Sequence, residues 1–567
     1  MPNIPLVGRK PLTQSSMATS VTHRFAEGPR AYWESGTLRI RRRDLDGLEK
    51  AIMRFSRAIL VNPPHPPGYI SNKDSMGGFG HLFPRGAPPF PPLDLPYLAA
   101  FLLREGVEVE VIEAGALDLS CAELLEAIDS KDIGDGTLAV IRTSLPTIDW
   151  DLEVCAQIRR RCPGLRVALY GGAVPSLLFR IQRDPTVDFA VLGEPDDTVA
   201  ELMRGQVLSQ IAGLLFREGD SWRRTPERKA DRDLDRLPFP RWELLPYERY
   251  VIPKSSTMGR MRFLPILTSR GCPFGCSYCP YPTGQGLKWR YRSPGNVVDE
   301  IEHLVRDFRV EYVLFRDPMF SLNQKRVIAI CEEILRRGLH VKWACETRVD
   351  CLDEPTIAIM ARAGCTGINF GVESSDPEIQ KGVHRKPILV REFIEKVAFC
   401  RRHHIRTFAF FIVGLPGDTV DTILDTVRFA VEIGASWTQF TVATPFIGTK
   451  LHQWAVGHGL IANDHYRIIS SHEGSIGNEY LSPAQVHRLH RFAQFAQRNL
   501  INRRGILKNE GRTDPAYRAV KSVADLAGRL AAGAWLWTGD RYFRRDSWRR
   551  SASPPAPKSA LGTGRAA

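Results

Sequence analysis

Between Phe263 and Phe446 one pattern repeats six times: a short apolar run followed by a longer segment with apolar residues at helical spacing. This alternation restricts the fold more than any other feature, because strands joined through helices lie parallel in one sheet. The predicted strands are Phe263–Leu267, Tyr312–Arg316, Val341–Cys345, Gly367–Val372, Thr407–Val413 and Thr438–Thr444. The helices between them include Val297–Phe308, Gln324–Arg337, Pro355–Ala363, Val390–His403 and Thr422–Gly434. Six such units make three-quarters of a (β/α)8 barrel, whose chemistry sits in the loops at the carboxyl ends of the strands. A second alternation, from about 55 to 215, has strands at Ala58–Val61, Val107–Ala114, Leu138–Ser144, Leu165–Tyr170 and Val187–Leu192 and predicts a Rossmann-like parallel sheet. Its first loop, Asn62 to Pro96, holds ten prolines and is long enough to be functional or disordered. In a doubly wound sheet, ligands bind at the carboxyl ends of the strands, where this loop begins.

The first barrel strand runs into Ser269-Arg270-Gly271-Cys272-Pro273-Phe274-Gly275-Cys276-Ser277-Tyr278-Cys279. Three thiolates on one short loop can hold three irons of a 4Fe–4S cube and leave the fourth open to a small molecule. A structural zinc site would need four ligands from two knuckles, and no partner C-x-x-C or H-x3-H stands nearby. A ferredoxin-type carrier needs a fourth cysteine in register, and Cys331 is remote in sequence. The C-x3-C-x2-C spacing, with aromatic Tyr278 before the last cysteine, resembles the radical S-adenosylmethionine (SAM) superfamily.

That resemblance extends over roughly 262 to 450 and implies SAM contacts at successive strand ends. Asp317, after the second strand, would face the SAM ammonium. Glu346, Glu373 and Arg385 match the third-strand Glu, the fourth-strand Glu or Gln and the Arg twelve positions on, as in the anaerobic coproporphyrinogen oxidases and cobalamin-binding methylases. Carboxylates can accept both ribose hydroxyls, and a guanidinium can fork onto the SAM carboxylate. The turn Gly414-Leu415-Pro416-Gly417-Asp418-Thr419 resembles the adenine-side turn, with Asp418 or Thr419 capping the next helix. The first sheet resembles the cobalamin-binding domains that precede the barrel in one large class of these enzymes. Thr143-Ser144-Leu145 is similar to their Ser-x-Leu, and Gly171-Gly172 to the Gly-Gly that admits the dimethylbenzimidazole tail. Gly193-Glu194 and Thr198 match the usual end of that domain. Where histidine-ligated domains carry Asp-x-His-x-x-Gly, this chain has Pro63-Pro64-His65-Pro66-Pro67-Gly68, so His65 lacks its orienting acid. A degenerate Rossmann-like domain that binds nothing is the alternative reading.

The resemblance implies a cobalamin-dependent radical SAM methyltransferase acting on an unactivated carbon. A 4Fe–4S cluster fed by flavodoxin or ferredoxin would cleave SAM to a 5′-deoxyadenosyl radical, and methylcobalamin would deliver the methyl. A cyclase or rearrangement enzyme without methyl transfer is an alternative. So is an RNA-modifying enzyme, although its methylthiolating versions need a further cysteine cluster and only Cys121, Cys155 and Cys162 are at hand. An iron–sulfur regulator without catalysis is the non-enzymatic reading.

The expected organisation is an extension at 1–52, a cobalamin-binding-like domain at 53–215, a linker at 216–260, the barrel at 261–455, a helical region at 456–550 and a disordered tail at 551–567. Of the net charge of +14, the segment from Ile501 carries fourteen Lys and Arg against five Asp and Glu. The stretch Ala532 to Arg550 interleaves these with Trp and Tyr, a mixture suited to peripheral contact with an anionic membrane surface or, less well, a nucleic-acid backbone. The other reading is a solvated helical appendage that packs its aromatics on the neighbouring domain. The expected substrate is a small or lipid-like molecule. No run of 18 apolar residues predicts a spanning helix. Eleven cysteines without a secretory pattern predict a reducing, cytoplasmic setting.

Overall fold

Asn62, where the first strand ends, stands at the point from which a doubly wound sheet grows in two directions. In a computed structural model the strands of this half are β1 (Arg57–Asn62), β2 (Tyr69–Asn72), β3 (His81–Pro84), β4 (Glu108–Glu113), β5 (Thr137–Arg142), β6 (Arg166–Tyr170), β7 (Phe189–Val191), β8 (Leu214–Glu218) and β9 (Ser221–Arg224). They assemble in the order β9-β8-β7-β6-β5-β1-β4, parallel from β4 to β7 and antiparallel beyond. The chain runs from β1 out to β4 and back across to β5, so the topological switch point lies between β1 and β5. A hairpin, β8–β9, lengthens this sheet. Inside the proline-rich loop, β2 and β3 form a hairpin that the alternation did not predict.

The second half contains β10 (Phe263–Ile266), the paired β11 (Ser269–Arg270) and β12 (Arg290–Tyr291), then β13 (Tyr312–Phe315), β14 (Lys342–Thr347), β15 (Cys365–Glu373), β16 (Arg406–Val413) and β17 (Trp437–Val442). The order β10-β13-β14-β15-β16-β17 is parallel throughout, which is the predicted six-stranded part-barrel. Side chains alternate between lumen and outer helices, so Tyr312, Leu314 and Arg316 point one way and Asp317 the other. The outer edge of β17 is covered by the helix Pro483–Ala496. His490 Nε2 donates to the Phe440 carbonyl at 3.0 Å, and the Phe440 amide donates to Gln497 at 3.1 Å, which satisfies an edge that would otherwise pair with another chain.

One hydrophobic cluster runs through both halves, from Leu60, Leu98 and Phe101 through fully buried Trp242 to Leu264, Trp343 and Phe370. Buried polar links cross the same seam. Tyr97 donates to Glu300 at 2.8 Å, and Arg292 also pairs with Glu300. The two sheets therefore hold a fixed mutual orientation.

The structure describes residues 54–129, 134, 136–251, 261–461 and 476–498, with the backbone of the paired strands Ala31–Glu34 and Thr37–Ile40. The Trp- and Arg-rich stretch and the tail lie outside them. No helix among the described residues is long and apolar enough to cross a membrane.

Candidate active site

The cysteine loop leaves β11 through Gly271, whose φ is 84° and where a Cβ would stand 2.2 Å from the Lys288 carbonyl oxygen. Only glycine permits that turn against that neighbour. Beyond it Cys272, Cys276 and Cys279 line one cavity of about 320 Å³. Burial pushes the Cys272 and Cys279 thiols up, and nearby sulfur charge pushes them the same way, so metal binding here must displace protons. Among the described residues no three His, Cys, Asp or Glu side chains converge on a single metal ion. A cube asks for less convergence, since each sulfur takes its own iron. Three thiols on one wall of one chamber fit it.

The opposite wall carries ion pairs. Arg385 Nη1 donates to Glu373 Oε1 and to the Tyr278 hydroxyl, both at 3.0 Å, and Nη2 donates to the Gly371 carbonyl at 2.8 Å. Glu373 has a left-handed backbone with φ 70°, and a Cβ on Gly371 would stand 2.6 Å from its Oε1. Burial raises the Glu373 carboxyl against the pull of Arg385. Arg316 donates to Glu346 at 2.7 Å. Arg348 forks onto Asp350 at 2.9 and 2.8 Å and lies 4.4 Å over the Phe274 ring. Arg385 Nε and Arg348 Nη1 are buried without a partner among the described residues, and both side chains face the chamber. Unpaired buried donors are costly and point to a ligand. Two such donors and two carboxylates suit the carboxylate, ammonium and ribose hydroxyls of SAM.

Two expected SAM contacts lie elsewhere. Asp317 is fully buried and its carboxylate accepts from the Thr268 and Ser269 amides at 2.7 Å each and from the Thr268 hydroxyl. It therefore anchors the entry to the cysteine loop and does not line the chamber. Gly414 turns toward the helix Pro483–Ala496, where a Cβ would stand 2.7 Å from Val486, rather than toward a ligand. Thr419 caps the following helix, as expected of it or Asp418, while Asp418 accepts from the Gly414 and Leu415 amides. Arg316 and Arg348 were not singled out by the motifs. Strand parity was the available signal, because each faces the lumen in step with Leu314 or Glu346.

The residues aligned with cobalamin binding meet the chain itself. Ser144 Oγ bonds Thr147 Oγ1 at 2.8 Å, and Gly80 packs so closely that its Cβ would stand 2.6 Å from that oxygen. A Cβ on Gly171 would meet the Thr143 carbonyl at 2.2 Å, and one on Gly172 the Gly77 carbonyl at 2.2 Å. Gly172 is thus covered by the glycines of the β2–β3 hairpin, and Gly171 packs on the Thr143 backbone, instead of both facing an open slot. Thr143 Oγ1 and, separately, the Tyr170 hydroxyl are buried without partners among the described residues. Gly172, Gly193 and Glu194 still line an interdomain cavity of about 100 Å³. His65 is directed away: Nδ1 pairs with Ser71, and its ring abuts Gly115.

Glu194 also locks the two halves together. It accepts from Arg270 at 2.9 Å and from Arg290, and Arg270 reaches Asp196 at 2.9 Å. Burial opposes its ionisation, but the Arg270 and Arg290 guanidiniums overcome this and hold its carboxyl down at about 2. Unfolded, it titrates near its ordinary 4.5, so the stabilisation is complete above that pH and is lost as pH falls toward 2. Cluster-free protein is expected to lose thermal stability across that window. Glu194→Gln should cost about 2 kcal/mol at pH 7, less than for a fully buried pair because the carboxylate is partly exposed, and should flatten the acid slope. Equal slopes in wild type and variant would remove Glu194 from this role.

A cysteine trio at the mouth of a parallel part-barrel, roofed by a doubly wound sheet, is the arrangement that the resemblance to radical SAM enzymes implies. The profile of the radical SAM superfamily matches residues 266–430. An uncharacterized methyltransferase of Pyrococcus horikoshii is 29% identical over 411 residues, covering 71% of this chain and 86% of that protein. An anaerobic magnesium-protoporphyrin IX monomethyl ester cyclase of Cereibacter sphaeroides is 29% identical over 381 residues, 64% of this chain and 60% of the cyclase. Among solved structures, the radical SAM methyltransferase TsrM of Kitasatospora setae with cobalamin and a [4Fe-4S] cluster bound superposes with a TM-score of 0.56 at 19% identity, covering 72% of this chain and 76% of that one. This chain therefore carries a radical SAM domain.

Proposed function

We propose that this protein is a cobalamin-dependent radical SAM methyltransferase that acts on an unactivated carbon of a small molecule. The observation that carries the reading is the shared chamber. The cysteine trio, Glu346, Glu373 and Arg385 face Met76, His81 and Phe83 of the first half across one cavity. The three cysteines would hold the cluster; Arg385 and Arg348 would bind the SAM carboxylate, with Glu346 and Glu373 on its hydroxyls and ammonium. When bound, the cluster and SAM supply hydrogen abstraction, and cobalamin supplies the methyl group. The chain's own part is to orient and to keep the chamber dry: Tyr278 and Arg385 fix Glu373, Arg316 fixes Glu346, and the hairpin closes the roof. An electron from a flavodoxin or ferredoxin completes the scheme. Eleven unpaired cysteines support a reducing, cytoplasmic setting.

Cobalamin would lie against the wall of Gly172, Gly193 and Glu194, which line the cavity between the two halves. Its tail can reach Gly171–Gly172 only if the hairpin tip lifts. Met76 at that tip holds φ 55°, a strained angle for a non-glycine residue, while Gly77 and Gly78 beside it take positive φ freely, and such strain clusters at ligand clamps and switch segments. Hydroxocobalamin is expected to change amide exchange at residues 73–80 more than elsewhere in the first half. Bound corrinoid with unchanged exchange there would place the tail elsewhere.

A radical cyclase without methyl transfer is the second reading, favoured by the match to the Cereibacter enzyme. Anaerobic reconstitution with iron, sulfide and hydroxocobalamin, followed by turnover with a candidate substrate, separates the two by product mass. Methylation adds one CH2; an unchanged carbon count with loss of hydrogen favours cyclisation.

A further inference from the structure

We propose that the lower lumen of the part-barrel is a subsite for an uncharged, apolar substrate body carrying one hydrogen-bonding group. This inference deepens the methyltransferase reading and rests on it. One step below the chamber residues Glu346, Gly371 and Phe410, the inward positions become Ala344 on β14, Asn369 on β15 and Phe408 on β16. With Phe263, Pro265 and Leu314 they enclose a cavity of about 250 Å³. Its far side is closed by Pro88–Pro91 of the proline-rich loop, and Phe90 there packs 5.1 Å from Phe83, itself a wall of the reaction chamber.

Arg316 and Asn369 line both cavities, so the two adjoin at that neck. The charges on the lower cavity are already matched: Arg316 by Glu346 and Asp74 by Arg142. Among the described residues an ionic ligand finds no free counter-charge there, whereas a hydrocarbon or aromatic body gains by leaving water. The Asn369 carboxamide can donate and accept at the neck. A substrate anchored below, with its polar group at Asn369, presents the carbon next to that group to the SAM chamber. The long proline loop thereby acquires a purpose: it seals the open flank of the barrel against water.

The test uses the reconstituted full-length protein with SAM bound and n-alkanols from hexanol to dodecanol as probes, read by titration calorimetry without turnover. Each added methylene should tighten binding about fourfold until the lumen is full, after which affinity should level off. Phe90→Ala should move the levelling point to a longer alcohol, and Leu314→Trp should abolish the length dependence. Both should keep cluster absorbance and SAM affinity. Affinity that does not rise with chain length, or identical series in wild type and both variants, overturns the proposal. Because the readout is binding, failure to find a methylated product would strike the methyltransferase reading alone.

Discussion

Cys276→Ala, reconstituted anaerobically, is expected to lose the visible absorbance of the cluster and all SAM cleavage while remaining folded. Cys276 is only half-buried on a loop fixed by Gly271 and by the Asp317 anchor, so removing its sulfur leaves little void. The loss should be at least about 10⁶-fold, the lower end of what enzymes contribute, because the reaction has no route without the electron the cluster delivers. Corrinoid bands should persist, since the cobalamin wall lies on the other sheet. The informative control is Cys351, which lies near enough to Cys272 for each sulfur to feel the other's charge. Cys351→Ala should keep full cluster absorbance. If it abolished that absorbance, the fourth iron would already be ligated, no corner would remain for SAM, and radical chemistry at this site would be excluded.

The strand order and the cysteine trio were legible in the chain because both are local signals. Alternating apolar runs give β10 and β13 to β17 within a residue or two, since every one of those six strands is buried against helices and cannot tolerate another periodicity; the short pair β11–β12 was not read. The side-chain facing at strand ends was harder to read. Asp317 and Arg316 are adjacent, and motif spacing favoured the acid; strand parity places the arginine in the lumen and leaves the acid to bind Thr268 and Ser269 amides. Gly414 fails for a related reason. Parity would continue from Phe410 and Ile412 into the chamber, but β16 ends at Val413 and the turn tilts the glycine onto Val486. The hairpin tip over Gly171–Gly172 was beyond any local rule. Its position depends on Lys73, buried in an ion pair with Asp151 seventy-eight residues away, and on backbone contacts among glycines from three segments. Prolines and glycines announced an irregular loop without announcing where it would lie.

Arg385 carries the second large expected effect, and its several partners allow stability and ligand binding to be told apart. Three of its contacts are internal, to Tyr278, Glu373 and Gly371, while Nε is left for a ligand. Arg385→Lys keeps a positive charge but cannot reproduce the fork, so SAM binding should weaken about 10- to 100-fold, the worth of one charge-assisted hydrogen bond. Arg385→Met goes further and strands the Glu373 carboxylate in a buried site, which should cost about 3–5 kcal/mol of stability. Burial already raises that carboxyl, so in the Met variant it should take up a proton at higher pH than in the wild type. Adding Glu373→Gln to Arg385→Met should restore most of the stability, because the unpaired charge is gone, but none of the SAM affinity. Equilibrium dialysis of SAM on the reconstituted proteins, beside chemical denaturation of the cluster-free forms, reads the two quantities independently. Recovery of both in the double variant would mean that Arg385 only supports the fold, and the SAM carboxylate would then have to be assigned to Arg348.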